Sequence, residues 1–176
     1  MLFSDCLPVY FLSVASDLAE WSSRGYELFG RRIYAQAAYC FERAGEEALQ
    51  SVAEAYALRQ QTRSLAPNDP DRATKFAESG EAFFRSAKMS RSHSDKKDLN
   101  LRAAQCFGEG GHHIKAAEFF VQAEAYTDAV EHYRKALAYD QALELLRQFK
   151  SLIPAEIASK IIELAKLEYT KTNQIK

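Results

Sequence analysis

Few residues of this chain are placed to do chemistry, and each is best read beside its neighbours. His112-His113 follow directly on Gly108-Glu109-Gly110-Gly111. Imidazoles ligate metals and carry protons. Adjacent histidines on a regular helix cannot both face one ion, and no Cys or second His lies at ligand spacing. The pair therefore reads as a solvent-facing turn, and no metal site is expected. The glycine cluster would need a preceding strand to cradle a phosphate; none is predicted, so its expected role is to end a helix. Cys6, Cys40 and Cys106 are odd in number and show no paired spacing, which argues against a disulfide framework or a zinc site. Two of them stand one place before an aromatic, in Ala-Tyr-Cys-Phe41 and Ala-Gln-Cys-Phe107. That is the context of a small packing residue, and it suits a reducing, intracellular location, cytoplasmic or nuclear. Glu46-Glu47, Glu118, Glu124 and Glu131 fall on faces expected to be solvated and do not form an acid/base pair. No nucleotide-binding loop, dinucleotide fingerprint, zincin motif or nucleophile elbow is present. No catalytic residue and no cofactor are expected.

The elements that position these residues are legible from a repeat between Leu99 and Lys150. Ala103, Ala116, Ala129 and Ala142 lie thirteen residues apart. Four positions after each comes a large residue: Phe107, Phe120, Tyr133 and Leu146. Three further on come Gly110, Ala123, Ala136 and Phe149. Residues three and four apart share a helix face, and a step of thirteen holds a helix of about ten residues and a short turn. Helices that short are unstable alone and must bury their faces on one another. The expected fold is all-α: a right-handed solenoid of antiparallel helical hairpins, about eight to nine helices in all.

Before the repeat, residues 1–15 form an apolar segment. It lacks the basic start of a secretory signal, Asp5 and Pro8 interrupt it, and it is too short to span a bilayer. It either packs on the first helices or is the remnant of a preceding domain. Ser16 or Asp17 caps the next helix, and a helical-repeat domain is expected over 16–168, with a tail at 169–176. Glu46 to Arg63 reads as one longer helix, ended by Ala66-Pro-Asn-Asp-Pro70. From Asp71 to about Lys88, Gly80, Phe84 and Ala87 restate the small-large-small face. Met89 to Lys97 is polar and aperiodic, and reads as a flexible connection whose Ser90, Ser92 and Ser94 are either phosphorylated or simply solvated. Pro154 opens a last helix running to roughly Glu168.

The chain carries 23 basic and 24 acidic residues, a balance that argues against a dedicated electrostatic nucleic-acid binder. Counting helix pairs from Trp21, the inner helices hold Arg24, Arg59, Arg63, Arg102, Arg134 and Lys135. These six could line a groove that clamps an acidic peptide or a terminal carboxylate. The alternative is that they are dispersed surface charges paired with nearby Glu.

Trp21, Gly25, Leu28, Ala37, Phe41 and Ala44 stand at tetratricopeptide positions. In that pattern small Gly25 and Ala37 let two helices approach while Trp21 and Phe41 fill the space between pairs. Arg24 replaces the usual Leu, Leu28 the Tyr and Leu49 the terminal Pro. The whole stretch from Trp21 to Ala44, with Val52 to Arg59 and Ala103 to Phe107, resembles the helical region of large tetratricopeptide-and-ankyrin repeat proteins. Fungal members of that group also carry a UvrD/Rep-like superfamily 1 helicase module. The resemblance implies a non-catalytic module for protein–protein interaction or scaffolding. Alternatively, it implies an accessory region of such a helicase, with nucleic acid reached only through the parent protein. Neither reading involves a membrane.

Overall fold

The computed structural model describes residues 18–174. The apolar segment 1–15 and the candidate caps Ser16 and Asp17 lie outside them. The described residues hold nine α-helices and no strand: α1 (Leu18–Gly30), α2 (Tyr34–Arg43), α3 (Glu47–Arg63), α4 (Arg72–Met89), α5 (His93–Glu109), α6 (His113–Gln122), α7 (Tyr126–Lys135), α8 (Tyr139–Gln148) and α9 (Ala155–Gln174). A short 3-10 helix, Lys150–Leu152, precedes α9. No helix among the described residues is long and apolar enough to cross a membrane. The chain divides into two compact units, Met1–Ala57 and Leu58–Lys176.

In the first unit, α1 packs on α2. The core is Trp21, Leu28, Ala37, Cys40, Phe41 and Ala53, with Phe29 and Ile33 against it. Gly25 is there because of Phe41: a Cβ at Gly25 would lie 2.6 Å from the Phe41 ring, so any side chain would push the two helices apart. Tyr34 stacks on Tyr56 at 5.0 Å, and Phe29 meets both rings edge-on.

In the second unit, consecutive helices from α4 to α9 pack on one another. Ala103, Ala116, Ala129 and Ala142 are all completely buried, and Phe107, Phe120 and Leu146 are nearly so. Tyr133 is only half-buried. Gly80 makes room for Phe107, whose ring would lie 2.8 Å from an added Cβ; Phe107 then stacks on Phe119 at 5.2 Å.

One turn recurs five times among the described residues. After Leu28, Phe41, Phe107, Phe120 and Tyr133 the chain turns so that the N–H five residues on (Ile33, Glu46, His112, Ala125 and Ala138) donates back to that residue's carbonyl at 2.8–2.9 Å. This 6→1 bond is the Schellman closure, which requires a left-handed residue just before the donor. Arg32, Gly45, Gly111, Glu124 and Leu137 fill that place, with φ of 62°, 73°, 80°, 56° and 58°. The large residue of each repeat thus both fills the core and accepts the bond that reverses the chain. The thirteen-residue step is a ten-residue helix plus this three-residue turn.

Four expectations are corrected. Phe83, not Phe84, is the completely buried ring of α4; Phe84 is half-buried, edge-on to Phe119 at 4.9 Å. The flexible connection at Met89 to Lys97 shrinks to Ser90–Ser92, because Ser92 caps α5 by accepting from the Asp95 N–H. α9 runs through Glu168 to Gln174. Finally, the repeat stops at α8: Lys150, which stands where the earlier turns have their left-handed residue, instead opens the 3-10 helix, and the Phe149 ring stacks on Tyr126 at 3.9 Å.

Candidate functional site

Two polar clusters stand out, both in the second unit. The first joins the end of α3 to the end of α5. Arg59, its side chain 8% exposed, donates to Glu109 at 2.8 Å and Gln105 at 3.2 Å. Arg63, one helical turn on, donates to the same carboxylate through Nε at 3.0 Å and through its terminal nitrogen. Burial pushes the Glu109 carboxyl up, but the hydrogen bonds and charges of Arg63 and Arg59 outweigh it and leave it below the usual carboxylate range. The Arg63 guanidinium is correspondingly held more firmly protonated. Among the described residues the buried Arg59 Nε has no partner. Beneath this cluster lies Cys106, whose thiol burial pushes up to about 11. Burial also raises the Cys40 thiol, so both are protonated and unreactive at neutral pH.

The six basic residues expected to line a groove fall on α1, α3, α5 and α7, as the helix count required. Five already hold carboxylates of their own chain. Arg24 pairs with Glu27 at 2.6 Å, Arg59 and Arg63 with Glu109, Arg102 with Asp98 at 3.3 Å, and Arg134 with Glu131 at 2.7 Å. Arg59 is buried and faces Glu109, not solvent. Within the second unit the geometry thus brings Arg59 and Arg63 together on one acid. Lys135 stays exposed, at the edge of an open depression of about 640 Å³.

That depression borders the second cluster. Its lining includes His112, His113, Ile114, Glu118 and Lys135. His112 is exposed, as expected of a turn, but His113 is half-buried. Its Nδ1 lies 3.3 Å from Nδ1 of His132 on α7, with the ring centroids 5.2 Å apart and the planes at 64°. The solvent-facing expectation is corrected for His113. The turn after Phe107 starts α6 at His113, and α7 packs against α6 with His132 on the facing side. Glycine at position 108 is part of the arrangement, since a Cβ there would lie 2.5 Å from His132 Cε1. The Phe120 ring lies against the His132 ring, with the centroids 5.0 Å apart and the planes at 42°. Burial first, then the charges of Lys135 and His113, lowers His132 to about 4. Burial, Lys135 and His112 lower His113 as well. Both rings are neutral at pH 7.

The sequence hid this pair because nineteen residues separate its members. The only signal was the repeat: His113 opens one unit and His132 lies in the last turn of the next. Among the described residues no group of three or more His, Cys, Asp or Glu converges on a metal position. No protein-family model, curated protein or solved structure matches this chain.

Proposed function

We propose that the chain is a non-catalytic helical-repeat module that binds a protein or peptide partner, its helices forming antiparallel hairpins stacked as a right-handed solenoid. The observation that carries this reading is the recurrence of one three-residue Schellman turn after helices whose alanine-and-aromatic faces are buried. Such a scaffold consumes its apolar repeat positions in the core and leaves the outward residues free to vary, which is how helical arrays acquire partners. The depression beside His113 suits that use. It is concave, and exposed Ile114 offers an apolar anchor between Glu118 and Lys135.

The arginines favour a protein partner over nucleic acid. Lys and Arg bind nucleic acid by neutralising phosphates and releasing the counterions condensed on them, and Arg24, Arg59, Arg63, Arg102 and Arg134 already sit against carboxylates. An accessory role beside a UvrD/Rep-like helicase, in contact with nucleic acid, would therefore have to use other cations.

Affinity purification with mass spectrometry, comparing the wild type with an Ile114→Asp, Lys135→Glu double variant, tests the reading. The expected result is a partner set recovered by the wild type and lost from the variant. Recovery of the same proteins by both, or of none by either, overturns it. A gel shift at low salt addresses the nucleic-acid role; the expected outcome is no shift.

A further inference from the structure

The structure assigns Ser94 as a phosphorylation site for a serine/threonine kinase that selects arginine three residues before its target. Three serines stand where α4 passes into α5, and their hydroxyls differ. Ser90 is half-buried, and its hydroxyl accepts from the Ser92 N–H at 3.2 Å. The Ser92 hydroxyl accepts from the Asp95 N–H and caps α5. Ser94 is exposed, and among the described residues its hydroxyl holds no hydrogen bond. Arg91 lies three places before it and Lys96 two places after. An acidic kinase pocket grips a guanidinium at that distance, since arginine matches carboxylates with a two-pronged fork.

Access is the second requirement. Residues 91–98 are all exposed, and Leu99 is the first of α5 to be buried. Drawing 92–96 out straight into a kinase cleft therefore removes no buried side chain from the core. What ties this end of α5 to another part of the fold is Glu124, which meets Lys97 at 2.6 Å and His93 at 3.6 Å. Exposed ion pairs of this kind are weak.

The step is phosphoryl transfer from ATP. The Ser94 Oγ attacks the γ-phosphorus, the bond to the β,γ-bridging oxygen breaks and ADP leaves. The hydroxyl proton passes to the kinase's catalytic carboxylate. The product carries a charge of about −1.5 to −2 at neutral pH, more than the carboxylate of Glu124. Ser94 and Lys97 are three apart and share a face of α5, so the phosphate draws Lys97 away from Glu124. Asp95 and Asp98 oppose the new charge, but Asp98 is held by Arg102 at 3.3 Å, and Arg91, Lys96 and Lys97 outnumber the two. Glu124 fills the left-handed place of the turn between α6 and α7, at φ 56°. Phosphorylation therefore loosens the link between the start of α5 and that turn.

The test treats the full-length protein with ATP and the catalytic domain of an arginine-directed serine/threonine kinase, and locates the phosphate by peptide mass spectrometry. The expected result is one phosphate, on Ser94. Arg91→Ala should slow its incorporation at least about tenfold, the worth of a hydrogen bond to a charged group. Ser90→Ala should leave the rate unchanged. A second arm follows the Glu124 carboxyl by NMR across the acid range. In the unmodified protein the Lys97 hydrogen bond and charge hold it below the usual carboxylate range. Phosphorylation should raise it toward that range, as should Lys97→Ala without phosphate. No phosphate on the native protein, or phosphate on Ser90 or Ser92 in place of Ser94, overturns the site. An unchanged Glu124 titration in the phosphorylated protein overturns the exchange of partners.

Discussion

Replacing Glu109 by glutamine keeps the shape of the α3–α5 cluster and removes its only carboxylate. Arg59 would then face two neutral amides with a side chain that is 8% exposed. A hydrogen bond to a charged group contributes about 1.5–3 kcal/mol, and stripping the partner from a fully buried ion pair costs about 3–5 kcal/mol. The Glu109 side chain is 31% exposed and Arg63 is 52% exposed, so solvent screens part of the interaction and the Arg63 arm adds at most about 1 kcal/mol. The expected cost of Glu109→Gln is about 2 kcal/mol, a fall of roughly 4–8 °C in Tm for a chain of this size. Arg63→Ala should cost less than about 1 kcal/mol. Arg59→Met should cost less than Glu109→Gln, because the Glu109 carboxylate keeps its bond from Arg63 and is 31% exposed, whereas Glu109→Gln leaves a buried guanidinium without a carboxylate. The folded pKa of Glu109 is lowered, so its contribution is fully present above the unfolded carboxylate value of about 4.3 and is lost as pH falls through the folded value. Urea denaturation of the wild type and variants at pH 7 and across the acid range measures all of this. Equal stability of the wild type and Glu109→Gln at pH 7, or a larger loss from Arg63→Ala, would refute the reasoning.

Four further outcomes are expected. Leu137 is 65% exposed and holds φ 58° at the turn, a conformation costing a non-glycine residue about 1–2 kcal/mol; Leu137→Gly should therefore raise stability by about 0.5–1 kcal/mol after the entropy lost on fixing glycine, read as a small rise in Tm. Gly80→Ala should lower stability by about 1–3 kcal/mol, because the added carbon would meet Phe107 at 2.8 Å. Gly30→Ala, with nothing within 4 Å, should be neutral or slightly stabilising in the same melt. Finally, iodoacetamide labelling resolved by peptide mass spectrometry should leave Cys40 and Cys106 unmodified in the native protein at pH 7.5 and modify both in urea, since burial raises both thiols.

The thirteen-residue spacing of Ala103, Ala116, Ala129 and Ala142 determined the helical periodicity and the buried face by itself, because both are local: three- and four-residue neighbours and a turn every thirteenth residue. Gly25 announced a close approach for the same reason, since glycine inside a helix costs stability unless something needs the space. The ends of elements were harder. Ser92 caps α5 inside a stretch that composition alone reads as loop, and Phe83 replaces Phe84 in the core because adjacent aromatics on a helix differ by only about 100° in direction. What the sequence could not contain was any pairing across helices. Arg59 reads as a groove-lining cation until Glu109, fifty residues on, is seen to neutralise it. His113 reads as half of a surface dipeptide until α7 lays His132 against it. Such contacts depend on which faces meet when one helix packs on the next, and a repeat that fixes the period leaves that choice to the tertiary structure.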